Sequence, residues 1–225
     1  MSTEKSENPA EEFADAEVPL ALRHFFPSAL RRAYSAADQT IERAPYLTTP
    51  GGKYQRGDLI MLAASFEFEQ LIKSNNLPFD GTWEFFARPT GKHFVMLTPR
   101  ARITTNQIDD PAKRPRHAVF RTNYAEVNSR FLFDDMNTAA DIEREKAETD
   151  GKRRLLHILH GYQALEFAHI AYPHPEQNCH IYRSPNMMRI PHAITSDLPP
   201  AEGPAESPTP EILDNIARHL RDNDD

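Results

Sequence analysis

Histidines are the most concentrated chemically active residues of this sequence. Six of the ten fall between residues 157 and 192, close to the single cysteine. Imidazole nitrogens and thiolates are the ligands that zinc and related transition metals favour. One hypothesis is therefore a metal-dependent hydrolase or nuclease, with Glu166 as general base. Its predicted metal ligands are His157, His160, His169 and His174.

The secondary structure of residues 152–161 decides whether this metal site is feasible. On a helix, the three-residue spacing of His157 and His160 would place both rings on one face. On a strand, the two rings would point to opposite faces, and the site would be lost. The residue pattern of this segment is compatible with either element, so the sequence leaves both alternatives open. Histidines on strands and in loops also commonly serve ordinary hydrogen bonds.

A second group of residues favours a different chemistry. Residues 92–130 carry eight basic side chains against three acidic ones. Phe94, Phe120 and Tyr124 lie among them, and cationic side chains beside aromatic rings are typical of surfaces that hold single-stranded nucleic acid. A solvated basic loop that pairs with the acidic ends of the chain is the other interpretation. The predicted nucleic-acid-binding residues are Arg100, Arg102, Lys113, Arg114, Arg116 and Arg121.

Other short motifs do not support a cofactor. The Gly51-Gly52-Lys53 segment lacks the upstream glycine and the following hydroxyl of a phosphate-binding P-loop. The sequence contains no Gly-x-Ser-x-Gly elbow and no His-Glu-x-x-His pair. We therefore predict that the protein uses no cofactor, and no motif identifies a family.

Charge and composition bound the class of protein. The 225 residues carry a net charge of −7, yet residues 1–19 hold six acids against one lysine, and residues 195–225 hold eight acids against two arginines. The remaining body is therefore mildly basic, near +4. The longest apolar run is far shorter than the roughly 20 residues that span a bilayer. Together with one cysteine and no secretory signal, this predicts a soluble, cytoplasmic protein without membrane contact.

The elements that must position these residues are predicted from periodicity. Helical spacing favours helices over residues 28–43 and 59–75, and alternating charges favour a solvent-facing helix over 137–150. Alternation and β-branched or aromatic content favour strands, which we place at 83–88, 93–98, 102–108, 117–123, 164–172 and 179–183. The expected fold is α+β, with a small antiparallel β-meander packed against two or three helices and disordered acidic termini.

The domain organisation follows from the same reading. Residues 1–19 are predicted to be a disordered acidic tail, because they hold few large apolar groups. Residues 20–194 form one globular α+β domain, and 195–209 have the composition of a proline-rich linker. Residues 210–225 are expected to form a short amphipathic helix with an acidic end, because Thr209-Pro210-Glu211 is a helix-start signal.

The leading functional hypothesis is a soluble binding module. Its basic surface would bind nucleic acid or a protein partner, and the helix over 210–221 would offer a second contact for a protein. The metal-dependent hydrolase or nuclease is the alternative. The sequence does not decide whether the protein is an enzyme, nor does it indicate the substrate or the oligomeric state.

Overall fold

A computed structural model describes residues 8–85, 91–128 and 153–190 of the chain. The predicted helix over 137–150, the linker 195–209 and the helix over 210–221 lie outside these residues. The α+β class is confirmed, because helices pack against one six-stranded sheet. The helices are α1 Pro9–Glu17, α2 Phe25–Arg43, α3 Pro50–Lys53, α4 Arg56–Lys73 and α5 Val119–Ala125. The strands are β1 Asp80–Phe85, β2 Lys92–Leu97, β3 Ala101–Ile108, β4 Arg154–Gly161, β5 Ala168–Pro173 and β6 His180–Arg183.

The sheet is mixed, which corrects the predicted antiparallel meander. Strands β1 to β3 pair antiparallel in sequence order, as do β4 to β6. The two halves meet at the centre through a parallel pair, β3 with β4, over the whole of both strands. A parallel pair needs a long crossover, and this one contains α5. The predicted strand over 117–123 is therefore wrong, because most of it belongs to α5.

The main hydrophobic core lies between the sheet and the long helices. Helices α2 and α4 pack against each other, and their residues Phe26 and Phe68 are fully buried with ring centroids 5.6 Å apart. Ile103 of β3 and Ile158 of β4 join the same cluster. Since side chains alternate along a strand, this places the even-numbered residues of β4 on the helix-facing side. The odd-numbered residues, including Leu159, face the opposite side, where α5 packs against β4.

Helix α1 corrects the predicted disorder over residues 8–19. Its first turn is capped by Asn8, whose Oδ1 accepts from the backbone N–H of Ala10 at 3.0 Å. Ala10, Phe13, Ala14 and Val18 recur at helical spacing and are buried in the main core. The segment has few large apolar groups, but alanines let one aromatic ring and the helix backbone approach the sheet closely. The composition alone therefore underestimated its buried surface.

Candidate anion-binding site

The structure divides the six predicted nucleic-acid-binding residues into two groups. Arg100 and Arg102 are each paired with a carboxylate of this chain. Arg100 Nε lies 2.6 Å from Oε1 of Glu17, and Arg102 Nη1 lies 2.9 Å from Oε2 of Glu84. Tyr124 stacks on the Arg102 guanidinium, with the ring centroid 4.1 Å away. These two arginines hold α1, β1 and α5 in place, so their charges are already compensated within the fold.

Lys113 is also compensated, although it lies on the surface. Its ammonium group is 3.5 Å from a carboxylate oxygen of Asp110, in the loop after β3. The pair is exposed to solvent, where such pairs are worth little and exchange readily with water. Lys113 therefore contributes positive charge to the loop and has no fixed position in a site.

The other three arginines line one cavity of about 670 Å³. Arg114 and Arg116 come from the loop that precedes α5, and Arg121 comes from the first turns of α5 itself. No ion pair that the structure describes involves any of the three. Three arginines without a carboxylate partner in the described part of the chain thus line a common space, an arrangement that an anionic ligand would stabilise.

Arg114 anchors the wall of this cavity to the turn between β5 and β6. Its backbone N–H donates to Oδ1 of Asn178 at 3.3 Å, and its Nη1 donates to the carbonyl oxygens of Pro175 and Gln177, each at 3.2 Å. Burial lowers the pKa of Arg114. Its guanidinium group therefore combines a structural role with its place in the cavity.

Of the three arginines, Arg121 has the least favourable surroundings for a positive charge. Its Nη1 donates to the carbonyl oxygen of Arg116 at 2.5 Å, but its buried Nε has no hydrogen-bond partner among the described residues. Burial and the nearby positive charge of Arg114 lower the pKa of Arg121 to about 10. At neutral pH the group still carries its full charge. An anion in the cavity would offset the repulsion between the positive charges of Arg114 and Arg121.

His157 lines the same cavity, and it is fully buried on β4. Its Nδ1 accepts from the amide nitrogen of Asn106 at 3.0 Å and lies 2.9 Å from the hydroxyl oxygen of Thr104. Because Nδ1 is an acceptor, the proton of the neutral ring is on Nε2. Burial, followed by the charges of Arg121, His180 and Arg114, holds the pKa of His157 well below its usual range. The ring is therefore a neutral N–H donor at pH 7.

The Nε2 atom of His157 is buried and has no hydrogen-bond partner among the described residues. His157 is thus a residue of the lining with an unused donor, beside the three arginines. The sequence pointed to His157 as a chemically active residue but assigned it to a metal site. Its neighbours across the parallel strand pair, Thr104 and Asn106, set its tautomer, and no local pattern indicates that pairing.

Acidic and polar groups stand at the exposed rim of the cavity. Glu126 and Glu176 both contribute to the lining and are exposed to solvent. On the same rim the Thr122 hydroxyl lies 3.1 Å from Nε2 of His117. Among the lining residues, His157 is thus fully buried and Arg114 and Arg121 are half-buried, whereas Arg116 and the two carboxylates are exposed to solvent.

The structure does not bring the four predicted metal ligands together. Residues 154–161 form a strand, so His157 and His160 point to opposite faces of the sheet. The described ranges contain no group of three or more histidine, cysteine, aspartate or glutamate side chains that could hold a metal ion. The structure therefore offers no support for the predicted metal site.

The other three histidines have hydrogen-bond partners in the protein. Nδ1 of His160 is 2.8 Å from the hydroxyl oxygen of Tyr34 on the helix-facing side. Nδ1 of His169 is 2.7 Å from the carbonyl oxygen of Ser184, and Nδ1 of His174 accepts from two backbone N–H groups of its own turn. These contacts are the ordinary structural role of histidine, which the sequence leaves open as the alternative to metal binding.

Comparisons with known proteins add no further assignment. No protein-family model matches the chain, and no curated protein or solved structure matches it either. Among the helices of the described ranges, none is both long enough and apolar enough to cross a membrane. The function must therefore be argued from the site itself.

Proposed function

We propose that this protein binds single-stranded nucleic acid through its phosphate groups, at the cavity formed by Arg114, Arg116, Arg121 and His157. The observation that carries the proposal is that three arginines without a carboxylate partner among the described residues line one cavity together with His157, whose buried Nε2 also has no partner there. Guanidinium groups match the geometry of phosphate oxygens and bind them with two parallel hydrogen bonds.

The distribution of charge along the chain supports a polyanionic ligand. The body between residues 20 and 194 is near +4, although the whole chain is negative. The paired arginines Arg100 and Arg102 contribute to that count but not to the site. The exposed Lys113 lies one residue before Arg114 and adds to the local positive potential along which a strand would approach.

Base stacking has less support than phosphate binding. Phe94, one of the three aromatic residues of the sequence hypothesis, is buried in the main core beside Trp83, with ring centroids 5.4 Å apart. Phe120 stacks on His93, with ring centroids 4.3 Å apart. The proposed contacts are therefore to the backbone, and we expect binding that depends little on base sequence.

The test measures binding of fluorescent single-stranded DNA and RNA oligonucleotides by anisotropy, across a series of salt concentrations. Replacing Arg116→Gln and Arg121→Gln together should weaken binding and flatten the salt dependence. The slope of log K against log salt should fall by about 1.4, because each lost phosphate contact on a single strand contributes roughly 0.7.

A matched control separates the site from overall charge. The double variant Arg43→Gln with Lys53→Gln also removes two positive charges, but from exposed positions in the helical layer, away from the cavity. This double variant should keep the slope of the parent protein. Absence of salt-sensitive binding at low ionic strength, or equal loss in both double variants, would refute the proposal.

Two other hypotheses from the sequence have no observation in their favour. A protein partner for the helix over 210–221 stays a prediction, because that segment lies outside the described residues. The metal-dependent hydrolase or nuclease also stays a prediction, and the placement of its four histidines gives it no support.

A further inference from the structure

We infer that the cavity binds a terminal phosphate, a phosphate monoester at the end of a strand, in preference to the phosphodiesters within it. The inference rests on the proposed function and names the group that the same site selects. Its basis is the position of His157, a fully buried residue of the lining whose Nε2 has no hydrogen-bond partner among the described residues, while Arg116 and the two carboxylates of the lining are exposed.

The depth of the cavity favours a phosphate at the end of a strand. A phosphodiester carries a sugar on both sides, so the chain must enter and leave any pocket that holds it. A monoester has one substituent and three free oxygens, and it can reach a buried donor with its substituent still in the mouth. The fully buried His157 of β4 therefore favours a group at a chain end. Arg121 and Arg114 line the walls and could bind the remaining oxygens.

The second step is electrostatic. A phosphate monoester carries about −1.5 to −2 charges near pH 7, whereas a phosphodiester carries one. The positive charges of Arg114 and Arg121 repel each other, and the larger charge of a monoester compensates them better. The exposed Glu126 and Glu176 would lie close to a backbone that crossed the mouth, and they would repel each of its phosphates. A single terminal group brings one phosphate, rather than several, to the acidic mouth.

The third step concerns the imidazole. A neutral N–H donor binds phosphate oxygens without adding a further buried charge, and His157 is held neutral by its surroundings. Its tautomer is set by Asn106 at Nδ1, which leaves the proton on Nε2, the ring nitrogen without a partner among the described residues. The donor is therefore pre-organised and loses little entropy on binding.

The experiment uses the full chain and ten-residue single-stranded oligonucleotides of one sequence. They carry a phosphate at the 5′ end, at the 3′ end, or hydroxyls at both ends. At least one phosphorylated form should bind about 10- to 100-fold more tightly than the hydroxyl form, the range expected for one or two hydrogen bonds to a charged group. A nucleoside monophosphate should compete with it, and the unphosphorylated nucleoside should not.

The variant His157→Gln should lose most of this preference, so that the phosphorylated and hydroxyl oligonucleotides bind with nearly equal affinity. Because a buried residue is replaced, its fold is checked by circular dichroism. If the variant does not fold, ¹⁵N NMR of the parent protein replaces it. The Nε2 resonance of His157 should then show a protonated nitrogen that shifts on addition of the phosphorylated strand.

The outcomes separate this inference from the proposed function. Salt-dependent binding with equal affinity for phosphorylated and hydroxyl strands overturns the terminal-phosphate inference and leaves the proposed function standing. Binding of the nucleoside monophosphate without any oligonucleotide binding supports the monoester pocket and overturns the nucleic-acid function. An Nε2 resonance that does not respond to the phosphorylated strand also overturns the inference. Absence of binding to every probe overturns both.

Discussion

Replacing Phe13→Ala should strongly destabilise the protein, although the residue lies in a segment whose composition is typical of a disordered tail. The Phe13 ring is 4% exposed and meets the Tyr172 ring edge to face, with centroids 5.7 Å apart and planes at 89°. The guanidinium groups of Arg100 and Arg154 lie 5.4 and 5.1 Å from its centroid. Truncating a buried phenylalanine to alanine costs about 3 to 5 kcal/mol.

That loss would be a large part of the total, since domains of this kind are stabilised by roughly 5 to 15 kcal/mol. Urea unfolding followed by circular dichroism measures it as a fall in the midpoint at constant slope. The control is Leu20→Ala, just beyond α1, whose side chain is 66% exposed and should change the free energy of unfolding by no more than about 0.5 kcal/mol. A loss below about 1 kcal/mol for Phe13→Ala would refute the packing of α1 on the sheet. The prediction that the globular domain begins at residue 20 would then stand.

Three further predictions concern the sheet and its helix-facing side. Burial lowers the pKa of His160 to about 3, so the folded state stays neutral while the unfolded state takes up a proton below its ordinary value of 6.5. The free energy of unfolding should therefore fall as the pH drops from 6.5 towards 3, and this residue should contribute up to about 1.4 kcal/mol per pH unit. Urea titrations should show that the free energy of unfolding of His160→Asn falls less steeply with pH than that of the parent protein. The variant Gly161→Ala should melt at a clearly lower temperature, because the Cβ of the new alanine would lie 2.0 Å from the carbonyl oxygen of Ala164. An unchanged melting temperature would contradict this close contact. Asn128→Ala should cost about 2 kcal/mol or more in urea unfolding, since the buried amide donates to the carbonyl oxygens of Leu155 and Pro173 and accepts from the Leu155 N–H; a change within about 0.5 kcal/mol would show that these bonds are replaced.

Local periodicity predicted the long elements well and the pairing of strands poorly. Helices α2 and α4 and strands β1 to β3 lie close to the predicted ranges, because their apolar residues repeat at the spacing of one buried face. The parallel pairing of β3 with β4 depends on contacts between distant segments, and no short window contains that information. Helix α5 was mistaken for a strand because seven residues with aromatic and β-branched content satisfy both patterns.

For the site, too, the composition predicts which residues cluster along the chain but does not predict contacts between distant segments. The clustering of Arg114, Arg116 and Arg121 is visible in the sequence, and the structure brings these three together. That Arg100 and Arg102 are compensated could not be foreseen, because Glu17 and Glu84 reach them from α1 and β1. The role of His157 also depends on distant partners in β3.

The parallel pair at the centre of the sheet has a consequence for how the chain folds. Each residue of β3 meets a partner about 50 positions later, as Thr104 and His157 do at a separation of 53. The two antiparallel halves of the sheet contain mostly neighbouring strands, which close short loops and form quickly. The two halves can join only when the long crossover brings β3 and β4 together, and strands that are far apart in the sequence pair slowly. The tautomer of His157 is set only when β3 and β4 pair, so we expect the cavity to gain its buried donor late in folding.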